Sequence, residues 1–162
     1  MYIGDGLYFL EMSENLSKTY GKVPFGLHAV GDWQSIAGLF SLVNKCVAVD
    51  HQSYPNLLSL EAAFNENVDG QADVLFTCPQ LLEVVPKGVD KAIGLCELAG
   101  LLGVRMDEVM AFGDFDNDAT MLAAAGLGVA VGNASPAAIA NADLVIGSCD
   151  ENGPAVFLDR LL

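Results

Sequence analysis

From residue 86 onward the sequence alternates short apolar runs with helix-length stretches, and that alternation leaves few folds open to it. Residues 109–113, 127–131 and 143–146 are short, apolar and followed by turn formers, which is how strands buried in a parallel sheet read. Between and after them the pattern predicts four helices. One covers 90–102 with Asp90 as its N-cap, and one covers 118–125 and stops at Gly126. A third covers 135–141 and opens Ser-Pro, and the last covers 154–162 with proline in its first turn. Strands that alternate with helices connect by right-handed crossovers, so the expected class is α/β, a mostly parallel sheet with helices on both faces.

Residues 1–85 have a different texture. Strands are expected over 6–11, 46–50, 74–78 and 81–85, and helices over 32–44 and 55–67, a small α+β unit, partly antiparallel. It joins the later sheet around Pro86 and Gly88, so two domains are expected, 1–85 and 86–162. The chain is 52% apolar, enough for a packed core.

A formal charge of -14 with only seven Lys and Arg, all scattered, argues against nucleic acid or an anionic membrane as partner. Neither an apolar run of about 18 residues nor a basic N-terminal flank followed by an apolar stretch is present, so the expected location is cytoplasmic. Cys46, Cys78, Cys96 and Cys149 are widely spaced with no CxxC pair; they read as buried small apolar residues in a reducing compartment.

Chemistry concentrates at Val109-Met110-Ala111-Phe112-Gly113-Asp114-Phe115-Asp116-Asn117-Asp118, an apolar strand that runs into a glycine and then into carboxylates. Ligands of open parallel sheets bind beyond the carboxyl ends of the strands, which is where this cluster falls. Asp114 leaves the strand and Asp118 opens the next helix, so the two carboxylates and the Asn117 amide can converge on a hard, oxygen-preferring cation such as Mg²⁺. Asp116 reads as a helix cap. A calcium-loop reading fails, because Ala119 stands at the sixth position and Ala125 at the twelfth, where glycine and glutamate belong.

Gly113-Asp114-x-x-Asn117-Asp118-x-x-Met121-Leu122 resembles the fourth motif of the haloacid dehalogenase superfamily, and residues 83–153 are similar to its Cof-type sugar-phosphatase branch. Gly88-Val89-Asp90-Lys91 resembles the third motif, and Gly128-Val129-Ala130-Val131-Gly132-Asn133-Ala134 with Ala142-Asp143 resembles the strand and turn that follow the fourth. The resemblance implies a partial Rossmann-like core over 86–162, preceded by part of an α+β cap domain over 1–85. It implies a Mg²⁺-dependent phosphatase of small phosphorylated metabolites such as sugar phosphates. Asp114 and Asp118 are then metal ligands, Lys91 and Asp118 catalytic, and Lys91, Asn117 and Asn133 phosphate contacts. His28, Trp33 and His51 are candidate cap contacts, though residues of these kinds more often pack or lie at the surface.

The branch uses a nucleophile in a first motif Asp-x-Asp-x-Thr, and this sequence spells none; the second motif has no counterpart either. Ile139, Ile146 and Pro154 also depart from the branch's usual residues. The expectation is a severed phosphatase that is inactive alone, the alternative a non-catalytic remnant or binding module that keeps the acidic pocket. An exposed sheet edge predicts a homodimer. A receiver-like phospho-acceptor reading is disfavoured, because Lys91 precedes Asp114 on the wrong element.

Overall fold

The computed structural model describes residues 1–3, 6–20, 26–67 and 70–162, and the chain divides into two compact units, Met1–Gly88 and Val89–Leu162. In the first unit the elements run β1 (Tyr2–Ile3), β2 (Gly6–Phe9), α1 (Glu14–Tyr20), β3 (Gly26–Ala29), a 3-10 segment (Trp33–Leu42), β4 (Val43–Val49), α2 (Tyr54–Asn67), β5 (Ala72–Cys78) and β6 (Leu81–Pro86). They form one six-stranded sheet in the order β3-β2-β1-β4-β6-β5, antiparallel except for the β2–β3 pair. Leu7, Phe9 and Tyr20 make one small core beside Leu16 and Val49, and Leu82 and Leu57 are buried elsewhere in the unit.

The sequence misses α1 and the short strands β1 and β3. The start of α1 did carry a signal: Ser13 Oγ accepts the Leu16 amide at 3.1 Å, and Lys18 pairs with Glu14 one turn back. The helix expected over 32–44 is corrected to a 3-10 segment kinked at Ile36, where φ is -118 and ψ 18. Ser35 hydroxyl donates to the Asp32 carbonyl at 2.6 Å and Gly38 follows, so both residues weaken a regular helix.

The second unit is the three-stranded parallel sheet the sequence predicts, β7 (Met110–Gly113), β8 (Leu127–Ala130) and β9 (Leu144–Val145) in that order. Around it lie α3 (Lys91–Leu102), α4 (Ala119–Ala124), α5 (Pro136–Ala140) and α6 (Gly153–Leu161). Asp90 caps α3 by accepting the Ile93 amide at 2.8 Å, and Gly103 closes it in the left-handed region at φ 67. Ser135 caps α5 through the Ala138 amide. Ala111, Leu122, Ala130 and Ala138 form the core between sheet and helices.

Two departures matter. The third strand is only Leu144–Val145, and it is 43% and 54% exposed, an edge strand and not the buried one expected; as the last strand it has a neighbour on one side only. Helix α3 is apolar nearly all round, so although Ala99 is buried, Ile93, Leu98, Leu101 and Leu102 face outward, Leu101 at 86% exposure. Among the described residues no helix is long and apolar enough to cross a membrane.

Close backbone packing explains Gly128, since a Cβ there would meet the Leu122 carbonyl oxygen at 2.3 Å. Gly128→Ala is expected to destabilise by about 2–3 kcal/mol. Gly100→Ala, in α3 with open space around it, is expected to be neutral or stabilising by up to about 1 kcal/mol. Urea unfolding of the two variants checks the contrast, and equal effects would mean that the β8–α4 contact is looser than described.

Candidate functional site

Strand β7 ends at Gly113, Asp114 follows at once, and a 3-10 turn (Asp116–Asp118) leads into α4. The tightness of this corner depends on glycine, because a Cβ on Gly113 would lie 2.6 Å from Asp118 Cβ. The corner folds Asp118 back on itself: its carboxylate does not cap α4 but turns toward the strand end. There Oδ2 accepts the backbone amides of Asp114 at 2.9 Å and Phe115 at 3.2 Å. Its Oδ1 accepts the Lys91 ammonium, which arrives from the first residue of α3.

Asp118 is 3% exposed, the one charged residue counted as buried among the described residues, whereas the Lys91 side chain remains 48% exposed. Burial alone would raise the Asp118 carboxyl, but the Lys91 bond and the two amides outweigh it and hold the pKa below its ordinary value. Asp114 moves the other way. Loss of solvent raises it first, the neighbouring Asp118 carboxylate raises it further, and Lys91 offsets only part of this. Two carboxylates faced by one ammonium leave the site with an excess of negative charge.

Lys91, Asp114 and Asp118 line a cavity of about 500 Å³ together with Phe112, Met121 and Cys149, within the size range of small-molecule pockets. The structure therefore brings three of the five predicted site residues together. Lys91 meets Asp118 directly and acts on Asp114 only through charge. Asn117 is half-buried in the 3-10 turn, and Asn133 lies in the turn after β8, its Oδ1 accepting the Cys149 amide at 3.0 Å; neither lines the cavity. Asp116, read as a cap, is exposed at the head of the 3-10 turn. Asp143 serves the sheet, since its Oδ2 accepts the Gly128 amide at 2.8 Å and anchors β8.

The reading of the cysteines as buried residues is overturned. Cys96 and Cys149 are exposed and Cys46 and Cys78 half-buried, all four unpaired, because Cys96 sits on the outer side of α3 and Cys149 in a loop at the cavity wall. Cys149 and Pro154 are the lining residues that sequence reasoning missed, and only a prediction of how the loop after β9 folds back would have found them. Of the candidate cap contacts, His28 stacks on Tyr8 at 4.6 Å and His51 Nε2 meets Thr19 Oγ1 at 2.7 Å, packing and surface contacts inside the first unit. Among the described residues no group of three or more His, Cys, Asp or Glu side chains converges as a ready-made metal cage.

An open parallel α/β unit with an acid–lysine cluster at the carboxyl end of its first strand defines the class of the second unit. The chain as a whole belongs to the haloacid dehalogenase-like hydrolases, the family whose model matches residues 4–158. A similar curated protein is an HMP-PP phosphatase of Yersinia pseudotuberculosis, 35% identical over 119 residues, which are 72% of this chain and 42% of that one. Among solved structures, a haloacid dehalogenase-like hydrolase of Bacteroides thetaiotaomicron superposes with a TM-score of 0.81 at 29% identity, over 99% of this chain and 59% of its own. A superfamily phosphatase of the same organism gives a TM-score of 0.65 at 26% identity, over 94% and 54%. The chain thus spans less than half the length of the curated relative.

The stability of this corner is expected to follow Asp118. Asp118→Ala frees two amides and a lysine at once, and Lys91→Met leaves the buried Asp118 carboxylate without its cation, so each is expected to cost about 2–3 kcal/mol and the double variant little more than Asp118→Ala alone. The Asp118 contribution is present above its unfolded pKa and is lost as pH falls through its depressed folded value. Asp114 has the opposite sign: its raised pKa costs stability at neutral pH, so Asp114→Asn is expected to stabilise there, with the gain vanishing as pH falls below both of its values. Urea unfolding across pH 3 to 7 checks the costs and the signs, and additive costs in the double variant would show that the corner is not organised around the Lys91–Asp118 pair.

Proposed function

We propose that the chain is the phosphate- and metal-handling part of a Mg²⁺-dependent phosphatase of small phosphorylated metabolites such as sugar phosphates. In this reading the Val89–Leu162 unit is part of the catalytic core and Met1–Gly88 part of a cap. The observation that carries the reading is the Lys91–Asp118 pair beside the Asp114 carboxylate, in one cavity at the end of β7. The family assignment supports it, as do the phosphatase names of relatives matched over 72% and 94% of this chain.

The residues fit a magnesium ion that keeps most of its water. Mg²⁺ commonly uses one or two carboxylates and completes its shell with water and substrate oxygens, so a cage is not needed. Asp114 is the ligand on offer; Asp118 already holds a lysine and two amides and contributes mainly by fixing Asp114 and Lys91 in place. A bound Mg²⁺ would neutralise charge on the transferring phosphoryl group. Lys91 would shift part of its charge toward phosphoryl oxygens, and the Asn117 amide, one residue before Asp118, would donate to them. Asn133 has only its Nδ2 left for such a role, because Oδ1 is occupied.

Covalent phosphatase chemistry also needs a nucleophile aligned with phosphorus, and electrostatic stabilisation without attack gives little rate. The chain alone is therefore expected to hydrolyse neither an aryl phosphate nor sugar phosphates faster than Mg²⁺-containing buffer. It is expected to bind Mg²⁺ weakly by calorimetry, with the heat lost in Asp114→Asn. Turnover by the chain alone that disappears in Asp114→Ala would overturn the expectation of inactivity and would mean that a carboxylate of this chain serves as nucleophile or base. Absence of both Mg²⁺ and phosphate binding would favour the non-catalytic remnant, the reading to which the missing Asp-x-Asp-x-Thr spelling otherwise points.

A further inference from the structure

One wall of the cavity comes from outside the corner of β7 and α4. Cys149 reaches it from the segment between β9 and α6, which makes a 3-10 turn (Cys149–Glu151) and then enters the helix through Asn152 in the left-handed region, and Pro154 reaches it from the first turn of α6. Most of what shapes this segment is internal to it. Ser148 amide and hydroxyl donate to Glu151 Oε2 at 3.1 and 2.9 Å, and the Ser148 carbonyl accepts the Glu151 and Gly153 amides. Gly153 packs so tightly under the start of the segment that a Cβ would fall 1.9 Å from the Gly147 carbonyl oxygen.

Such bonds fix the shape of the segment but not its place. Among the described residues three bonds tie it to β8 and the turn after it: the Ile146 amide to the Ala130 carbonyl at 3.0 Å, a long one from the Gly132 amide to the Gly147 carbonyl at 3.4 Å, and the 3.0 Å bond from the Cys149 amide to Asn133 Oδ1. The first two hold the start of the segment, and the last joins the very residue that lines the cavity. It also settles which way the Asn133 amide points, since the atom that meets a backbone N–H must be the oxygen.

We propose that Asn133 is a positioning residue of the site: by holding the Cys149 amide it keeps the 149–154 wall against the Lys91–Asp114–Asp118 cluster, and so sets the fit of a phosphoryl group there. The inference rests on the phosphate-binding reading above, but it lets Asn133 act through the loop in place of direct contact. An aspartate at this position would preserve the bond, because a carboxylate oxygen accepts from the same amide. Alanine would release the wall while leaving Lys91, Asp114 and Asp118 untouched.

The test is hydrogen exchange of the Cys149 amide, read by NMR on the full chain, beside titration of inorganic phosphate in the presence of Mg²⁺. The Cys149 amide is expected to exchange about fivefold faster in Asn133→Ala and at the wild-type rate in Asn133→Asp, with the Glu151 and Gly153 amides unchanged. Phosphate affinity is expected to fall about fivefold in Asn133→Ala. Unaltered Cys149 exchange in the alanine variant overturns the inference, and so does a general rise at all three amides. Faster exchange with unaltered phosphate affinity overturns it too, since the wall would then not matter to the ligand. If the alanine variant does not fold, a Cys149 amide unprotected in the wild type, or in Asn133→Asp, overturns it just as well. A wild-type chain with a protected Cys149 amide that binds no phosphate defeats the functional reading first and this inference with it.

Discussion

A buried carboxylate that holds one ammonium and two backbone amides organises the second unit. Asp118 cannot be moved without cost, since burial would force an unpaired carboxylate to give up its charge, and it is paired on both oxygens. Because the partners come from three places, the end of β7, the turn after it and the start of α3, the one side chain fixes the mutual position of all three. Gly113 is the complement of this arrangement: the strand must end without a side chain for Asp118 to lie across it. The Asp114 carboxylate is a by-product of the same geometry, partly shielded from water, held beside a like charge and made more basic by both.

The division of labour between the two aspartates has a chemical logic. A carboxylate that already accepts three donors is a poor ligand for a further cation, yet it is well suited to keep its neighbours still. In the proposed reading the other one, with a raised pKa in a pocket of excess negative charge, is the one a cation would engage. Sequence reasoning made both residues metal ligands and Asp118 catalytic as well, because spacing shows that they can converge but not which of them has its lone pairs already engaged.

How far the sequence could be read depended on how local the information was. The second unit was legible because each strand ends in its own turn formers and each helix carries its own signal: Asp90 and Gly103 bracket α3, Ser135-Pro136 opens α5, and Pro154 sits in the first turn of α6. The first unit was less so. The kinked 3-10 segment reads as a helix by apolar spacing alone, and β1 and β3 are too short to show a period; their strand character comes from pairing with β2 and β4. At the site, Lys91, Asp114 and Asp118 lie near element ends and could be placed, whereas the contribution of Cys149 depends on a chain reversal fixed by Asn133, sixteen residues away. The family assignment was legible for the first reason: its motifs are contiguous.

The outward face of α3 has a colloidal consequence. A helix that is apolar all round normally lies inside a protein, and here leucines at its C-terminal end meet water. What opposes the contact of two such faces is the formal charge of -14, a long-range repulsion between copies that costs no specific contact. That repulsion reaches only as far as the solvent lets it, roughly 30 Å at 0.01 M salt but about 8 Å at physiological ionic strength. Ordinary salt therefore shortens the reach of the charge that keeps copies of this chain apart while leaving the apolar surface of α3 unchanged.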